Sequence, residues 1–275
     1  MAGRAGITCW PEPEPMRPDK QTIRQRFTRA AATYDRQAVI QQRVADRLLA
    51  LLAEFSGPPP RRVLEIGCCT GLLTSRLVRQ YGNIETLYVN DLVSRFEPRI
   101  AAAIPAGRTN LVFLAGDIET LDLPPALDLV ISSSTFHWLE DLPALLNRLK
   151  DRMAPGSRLA FSLYGRDNLR QVREVTGIGL DYYRLSELRE LVGRHFSVLA
   201  CEEERHTFTF ADPLALLHHL RDTGVNSLAP GPWGRKRLHS FDREYRHRYG
   251  DQEGVALTYH PLYCLARKED ALPGK

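Results

Sequence analysis

The residues most able to do chemistry sit at four junctions between positions 63 and 138. The first is Val63-Leu64-Glu65-Ile66-Gly67-Cys68-Cys69-Thr70-Gly71, where an apolar run breaks into small residues and then a helix-forming run. Such a turn lets backbone approach a ligand closely, and glycine is favoured because a side chain would fill the ligand's volume. Glu65 adds a carboxylate beneath the loop, which would repel a pyrophosphate and attract a cationic or amino-bearing ligand. About 20 residues on, a second apolar run ends in Asn90-Asp91-Leu92, and a carboxylate there can accept hydrogen bonds from both ribose hydroxyls. A third ends in Gly116-Asp117-Ile118, an acceptor with an apolar flank where an adenine could lie. The fourth opens into Ser132-Ser133-Ser134-Thr135-Phe136-His137-Trp138, polar and aromatic together. Singly, each reads as a turn, a cap or a solvated residue; in this order they outline a site for a cationic nucleoside.

Elements that could hold these junctions follow from periodicity. Between 21 and 55, Ile23, Phe27, Ala30, Tyr34, Val39, Val44, Leu48, Leu51, Leu52 and Phe55 recur at helical spacing. They predict one or two amphipathic helices, ended by Ser56-Gly57 and three prolines. The pattern then alternates. Strands are predicted over 62–66, 85–90, 111–115, 128–132 and 158–163, and helices over 70–81, 94–103 and 142–150. A helix over 185–192, with Ser186 as its N-cap, leads to a strand over 198–204, and a last strand spans 255–266. Together these predict an α/β fold with a mostly parallel, doubly wound, seven-stranded sheet and helices on both faces. Two stretches, 165–184 and 206–254, stand outside the alternation and read as a lid, since insertions at the carboxyl ends of a parallel sheet sit over the ligand crevice. The second contains a helix start at Asp212-Pro213. The chain thus divides into a disordered leader (1–19), helices over the site (20–56), the nucleotide-type core (57–164), lid insertions with closing elements (165–268) and a disordered tail (269–275).

Composition narrows the class. At 43% hydrophobic and 25% charged the chain is an ordinary globular sequence, and no apolar run approaches the roughly 20 residues a membrane helix needs. Met16 is a possible true start. The five cysteines, Cys9, Cys68, Cys69, Cys201 and Cys264, are scattered and suit neither a disulfide framework nor a zinc knuckle, which points to a reducing cytoplasm and no metal. A net charge of +4 suits an acidic partner, but no RNA-binding motif accompanies it, so neither nucleic acid nor membrane is expected. A monomer is.

The run VLEIGCCTG…VNDL…GDIETLDLP…DLVISSSTFHWLEDL…APGSRLAFSLYG resembles the class I, Rossmann-like methyltransferases that use S-adenosylmethionine (SAM). By that resemblance Glu65, Gly67, Cys68, Gly71, Asp91, Leu92, Asp117, Ile118 and Ser133 contact SAM. The departure is Cys69, where the family shows a second glycine; if the position needs positive φ, cysteine costs about 1 kcal/mol or more. The flanks RFTRAAATYDRQAVIQQRVADRL, FSLYGRDNLRQVREVTGIG, HHLRDTGVNS, WGRKRL and LTYHPLYCLARK resemble the malonyl-acyl-carrier-protein O-methyltransferases of biotin synthesis, over roughly 20–268. That implies methylation of the free carboxylate of a malonyl group on acyl carrier protein, or on CoA.

A bound malonyl carboxylate wants a cation or hydrogen-bond donors. Tyr34, Arg173 and His137 are the candidate catalytic residues, with Arg166 and Tyr259 beside them; the ordinary readings are a packed tyrosine, a solvated arginine and a histidine at the cleft mouth. Acyl carrier proteins are acidic, so Arg235, Lys236, Arg237, Arg243, Arg246 and Arg248, or Arg24, Arg26 and Arg29, would form the docking face. Two other readings stand open: a methyltransferase of a small free carboxylic acid or quinone precursor, and a non-catalytic scaffold resting on Cys69.

Overall fold

Four of five parallel strands end in the four junctions. The computed structural model describes residues 18–55, 57–105, 107–225 and 233–269. Three helical segments come first: α1 (Lys20–Ala30), α2 (Tyr34–Gln37) and α3 (Val39–Glu54). Then β1 (Arg62–Ile66), α4 (Leu72–Gln80), β2 (Thr86–Asp91), α5 (Glu97–Ala103), β3 (Asn110–Ala115), β4 (Leu127–Ser132), α6 (Leu142–Arg152) and β5 (Met153–Tyr164) alternate. The remainder is α7 (Arg170–Thr176), α8 (Leu185–Gly193), β6 (Ser197–Glu203), β7 (His206–Phe210), α9 (Pro213–Asp222), α10 (Arg235–Tyr249), β8 (Val255–Tyr259) and β9 (Pro261–Arg267).

Seven strands form one sheet in the order β3-β2-β1-β4-β5-β9-β6, with β9 antiparallel to both of its neighbours. The central strands read as near-continuous apolar runs because helices cover both faces. Successive side chains alternate between two cores: Val63 joins α3 and α4 on one face, whereas Leu64 and Ile66 join α6 and α8 on the other. Order reverses between β1 and β4, so the carboxyl ends of β1, β2, β3 and β4 open into one crevice, the place where open α/β sheets bind ligands.

The structure differs from the sequence reading in three places. The N-terminal stretch is three helical pieces, because Thr33 and Ala38 leave regular helix at the breaks. The last strand divides at His260 into β8, paired with β7 in a separate two-stranded sheet, and β9 in the main sheet. At the division the His260 ring accepts the Asp167 amide hydrogen at 3.0 Å and bonds Glu203 at 3.0 Å, and Pro261, lacking an N–H, starts the new strand. Helix α8 begins two residues earlier than a Ser186 cap would allow; Arg184 is its N-cap, and the Glu187 carboxylate accepts the Arg184 amide hydrogen at 2.8 Å. Within the described part of 206–254, α9 packs against α1 and α2: Thr33 donates to the Asp222 carbonyl at 3.0 Å, and Gly224 lies against Phe27. Asp212 caps α9 as expected, accepting from the Ala215 amide at 2.7 Å. The leader and tail, with Cys9 and Met16, lie outside the described residues except for Pro18, Asp19 and Glu269. Among the described residues no helix is long and apolar enough to cross a membrane.

Candidate active site

The crevice holds about 690 Å³ and is walled on one side by the four junctions and on the other by Lys20, Ile23, Arg24 and Phe27 of α1 and Tyr34 of α2. Its floor is the loop after β1. Gly67 (φ +75°) and Cys68 both donate their amides to the Asn90 carbonyl, at 2.9 and 3.1 Å. A Cβ on Gly67 would fall 2.1 Å from the Thr135 hydroxyl, so only glycine lets the first and fourth junctions touch. Cys69 takes φ +46°, the left-handed conformation expected to favour glycine, and the loop keeps its course.

What holds Cys69 is Asp91. Its Oδ2 accepts the Cys69 amide at 2.8 Å and its Oδ1 accepts the Val93 amide at 2.8 Å. One carboxylate thus closes two turns; Oδ2 also accepts from the Cys68 thiol at 3.9 Å, and Oδ1 keeps a lone pair for a ligand. Burial raises its pKa to about 6, against the pull of those two amides.

At the third junction Asp117 forms an ion pair with Lys20 at 2.5 Å, and Lys20 also pairs with Glu119. Glu119 in turn accepts the backbone amides of Glu140 and Asp141, at 3.1 and 2.7 Å. Burial would lower the Lys20 pKa, but the two carboxylates more than reverse it, so the ammonium stays charged. A single lysine therefore ties the start of α1 to the rim where an adenine is expected.

At the fourth junction Ser134 (φ +55°) donates its amide to the Ser162 carbonyl and hydroxyl, at 3.1 and 3.0 Å, and its hydroxyl lies 3.4 Å from the Tyr164 hydroxyl. Aromatic rings continue from there. Phe27 stands 6.2 Å from Tyr34 and 6.3 Å from Trp138, while His137 packs 4.8 Å from Trp138 and 4.9 Å from Tyr164. Burial holds Tyr34 and Tyr164 well above the ordinary tyrosine pKa and drops His137 to about 3. At neutral pH all three are uncharged, and His137 Nδ1 is buried without a hydrogen-bond partner among the described residues.

Of the sequence-predicted residues, Gly67, Asp91, Leu92, Asp117, Ile118, Ser133 and Tyr34 line the crevice. Glu65 does not: it shares the face of Val63 under α4, fully buried. Burial raises its pKa to about 8, with hydrogen bonding from Thr74 offsetting only part. Cys68 and Gly71 support the loop from outside, and Cys69 takes the lining position.

His137 and Arg166 face a second hollow of about 1200 Å³, which shares Leu139 with the crevice and includes Tyr164 and Tyr182. Arg173 lines neither. It lies 5.4 Å from the centre of the Tyr182 ring and donates to the Arg166 carbonyl at 2.7 Å. Tyr259 is buried, bonded to His219 at 2.9 Å. Sequence reasoning missed Lys20, Ser134, Trp138 and Tyr164; Trp138 and Ser134 stood in the quoted fourth junction, but nothing local marked Lys20.

Comparison with known proteins places the architecture. A methyltransferase domain model matches residues 64–161. The N-methyltransferase NodS of Bradyrhizobium japonicum, solved with S-adenosyl-L-homocysteine, superposes with a TM-score of 0.54 at 16% identity, over 90% of this chain and 98% of that one. A malonyl-[acyl-carrier protein] O-methyltransferase of Prosthecochloris aestuarii is 38% identical over 259 residues, covering 93% of this chain and 96% of the relative. The enzyme of that name from Haemophilus influenzae is 36% identical, covering 90% and 95%. With likeness of that degree along nearly its whole length, the chain belongs to the malonyl-[acyl-carrier protein] O-methyltransferase family.

Proposed function

We propose that this protein transfers the methyl group of SAM to the free carboxylate of a malonyl group carried on acyl carrier protein, the opening step of pimelate synthesis for biotin. The crevice suits the donor. Asp91 offers its carboxylate to the ribose hydroxyls, Asp117 and Ile118 border the adenine, and Gly67 and Ser133 line the remaining wall. SAM supplies a methyl group activated by its positively charged sulfur.

The single observation that carries the acceptor class is that the tyrosines and histidine described beside the crevice offer no working base. Tyr34 and Tyr164 are held protonated, and His137 is far too weak a base near neutrality. An amine or phenol would need a proton removed first. A carboxylate arrives already ionised, because its ordinary pKa lies near 4. It needs only donors and alignment, which the Tyr34 hydroxyl and the closed aromatic wall provide. Transfer cancels two opposite charges, so the water-poor wall of Phe27, Tyr34 and Trp138 favours it. Arg173 is a positioning residue here, holding Tyr182 and the Arg166 backbone in the wall of the second hollow.

The test is methyl transfer from labelled SAM to malonyl-acyl carrier protein, with free malonate and acetyl-acyl carrier protein as controls. Label on the malonyl carrier alone, as a base-labile ester, is the expected result. Label on free malonate at an equal rate, or none on the carrier, would overturn the proposal.

A further inference from the structure

The described chain has two basic surfaces, and they are not equivalent. On α10, Arg246 and Arg248 are neutralised within the helix by Asp242 and Glu244, at 3.2 and 2.7 Å. Arg237 lies against the Trp233 ring, 4.6 Å from its centre. Arg235, Lys236 and Arg243 are left exposed, but α10 packs on α7, α9 and β8 and lines neither the crevice nor the second hollow.

The other surface is a groove of about 880 Å³ between α1 and the turn after β2. Arg24, Arg29 and Arg95 line it, all exposed, with Gln21, Gln25 and Thr28 among its polar lining; no carboxylate does. Arg24 and Val93 line the crevice as well, so groove and crevice share a wall.

We propose that this groove, and not α10, seats the acidic face of the acyl carrier protein. The inference rests on the carrier-bound substrate proposed above. A carrier tethers its acyl group on a flexible arm, so its docking surface must adjoin the crevice mouth, and of these two surfaces the α1 groove does. Three cations without a lining carboxylate give the complementarity that steers an acidic partner, an effect expressed in encounter rate and salt sensitivity. Two of the three arise on α1, the helix that also closes the crevice. Docking and closure therefore involve the same helix.

Steady-state kinetics of the full chain with two acceptors tests this: malonyl-acyl carrier protein, and a malonyl thioester of a short neutral thiol. Arg29 and Arg95 lie outside the crevice, so the variant is Arg29→Glu with Arg95→Glu, and the control is Arg235→Glu with Lys236→Glu. The first should raise KM for the carrier about tenfold or more, leave kcat and the small thioester unchanged, and keep SAM affinity, with Arg29→Ala and Arg95→Ala giving a smaller rise in the same direction. The control should match the wild type on both acceptors. Three results overturn the proposal: a carrier KM within twofold of wild type, an equal loss on the small thioester, or the carrier defect appearing in the α10 variant instead. Failure of the wild type itself to methylate the malonyl carrier would instead defeat the reading beneath it, and that shows before any variant is made.

Discussion

Glu65 concentrates a cost at one residue. A carboxyl whose pKa is about 8 in the folded protein, against an ordinary value of 4.5, binds a proton at neutrality that the unfolded chain has released. Stability from this group is therefore fully present below about pH 4.5 and is lost progressively as pH rises toward 8, by up to about 1.4 kcal/mol per pH unit. Glu65→Gln removes the titration and keeps the shape. Urea unfolding at pH 5, 6.5 and 8 should show the variant gaining on the wild type with each step; parallel curves would refute the assignment. The sequence predicted an acid under the loop but not the face it takes. Strand alternation turns Glu65 to the face of Val63, away from the crevice, and a motif read as a string does not reveal which face a side chain takes. Asp91 was legible because it ends its strand, where either face reaches the opening.

Among elements, the position of α1 rests on charge as well as packing. Ile23 is buried in the core, while Lys20 bridges to Asp117 and Glu119 at the crevice rim. Lys20→Met would keep the aliphatic stem and leave two carboxylates unpaired. SAM affinity should then fall about fivefold, the scale of one partly buried ion pair near 1 kcal/mol, and amides over 20–30 should exchange hydrogen faster. Unchanged exchange would mean that α1 is held by packing alone. The alternation of strands and helices was readable throughout the core, since apolar runs of strand length separated by longer periodic runs leave few topologies. The stretch 206–254 was not. Its charged helix α10 buries only Phe241 and Tyr245, too sparse an apolar stripe to stand out, and β7 pairs with a strand some 50 residues away by sequence.

For the whole molecule, the decisive feature is the place of β9. It runs antiparallel between β5 and β6, bonded to both, and lies on the far side of 206–254 in sequence. Ending the chain after Gly254 should leave two unpaired strand edges flanking an open apolar slot. Such a protein is expected to be recovered as aggregate, and soluble recovery with native circular dichroism would contradict that. The nascent chain meets the same difficulty. Until residues 261–267 leave the ribosome, β5 and β6 wait with bare edges while all of α9 and α10 is still being translated. Synthesis thus imposes an interval in which the half-built sheet is sticky, and chaperone demand in the cell should follow the time taken to translate that stretch rather than the length of the protein.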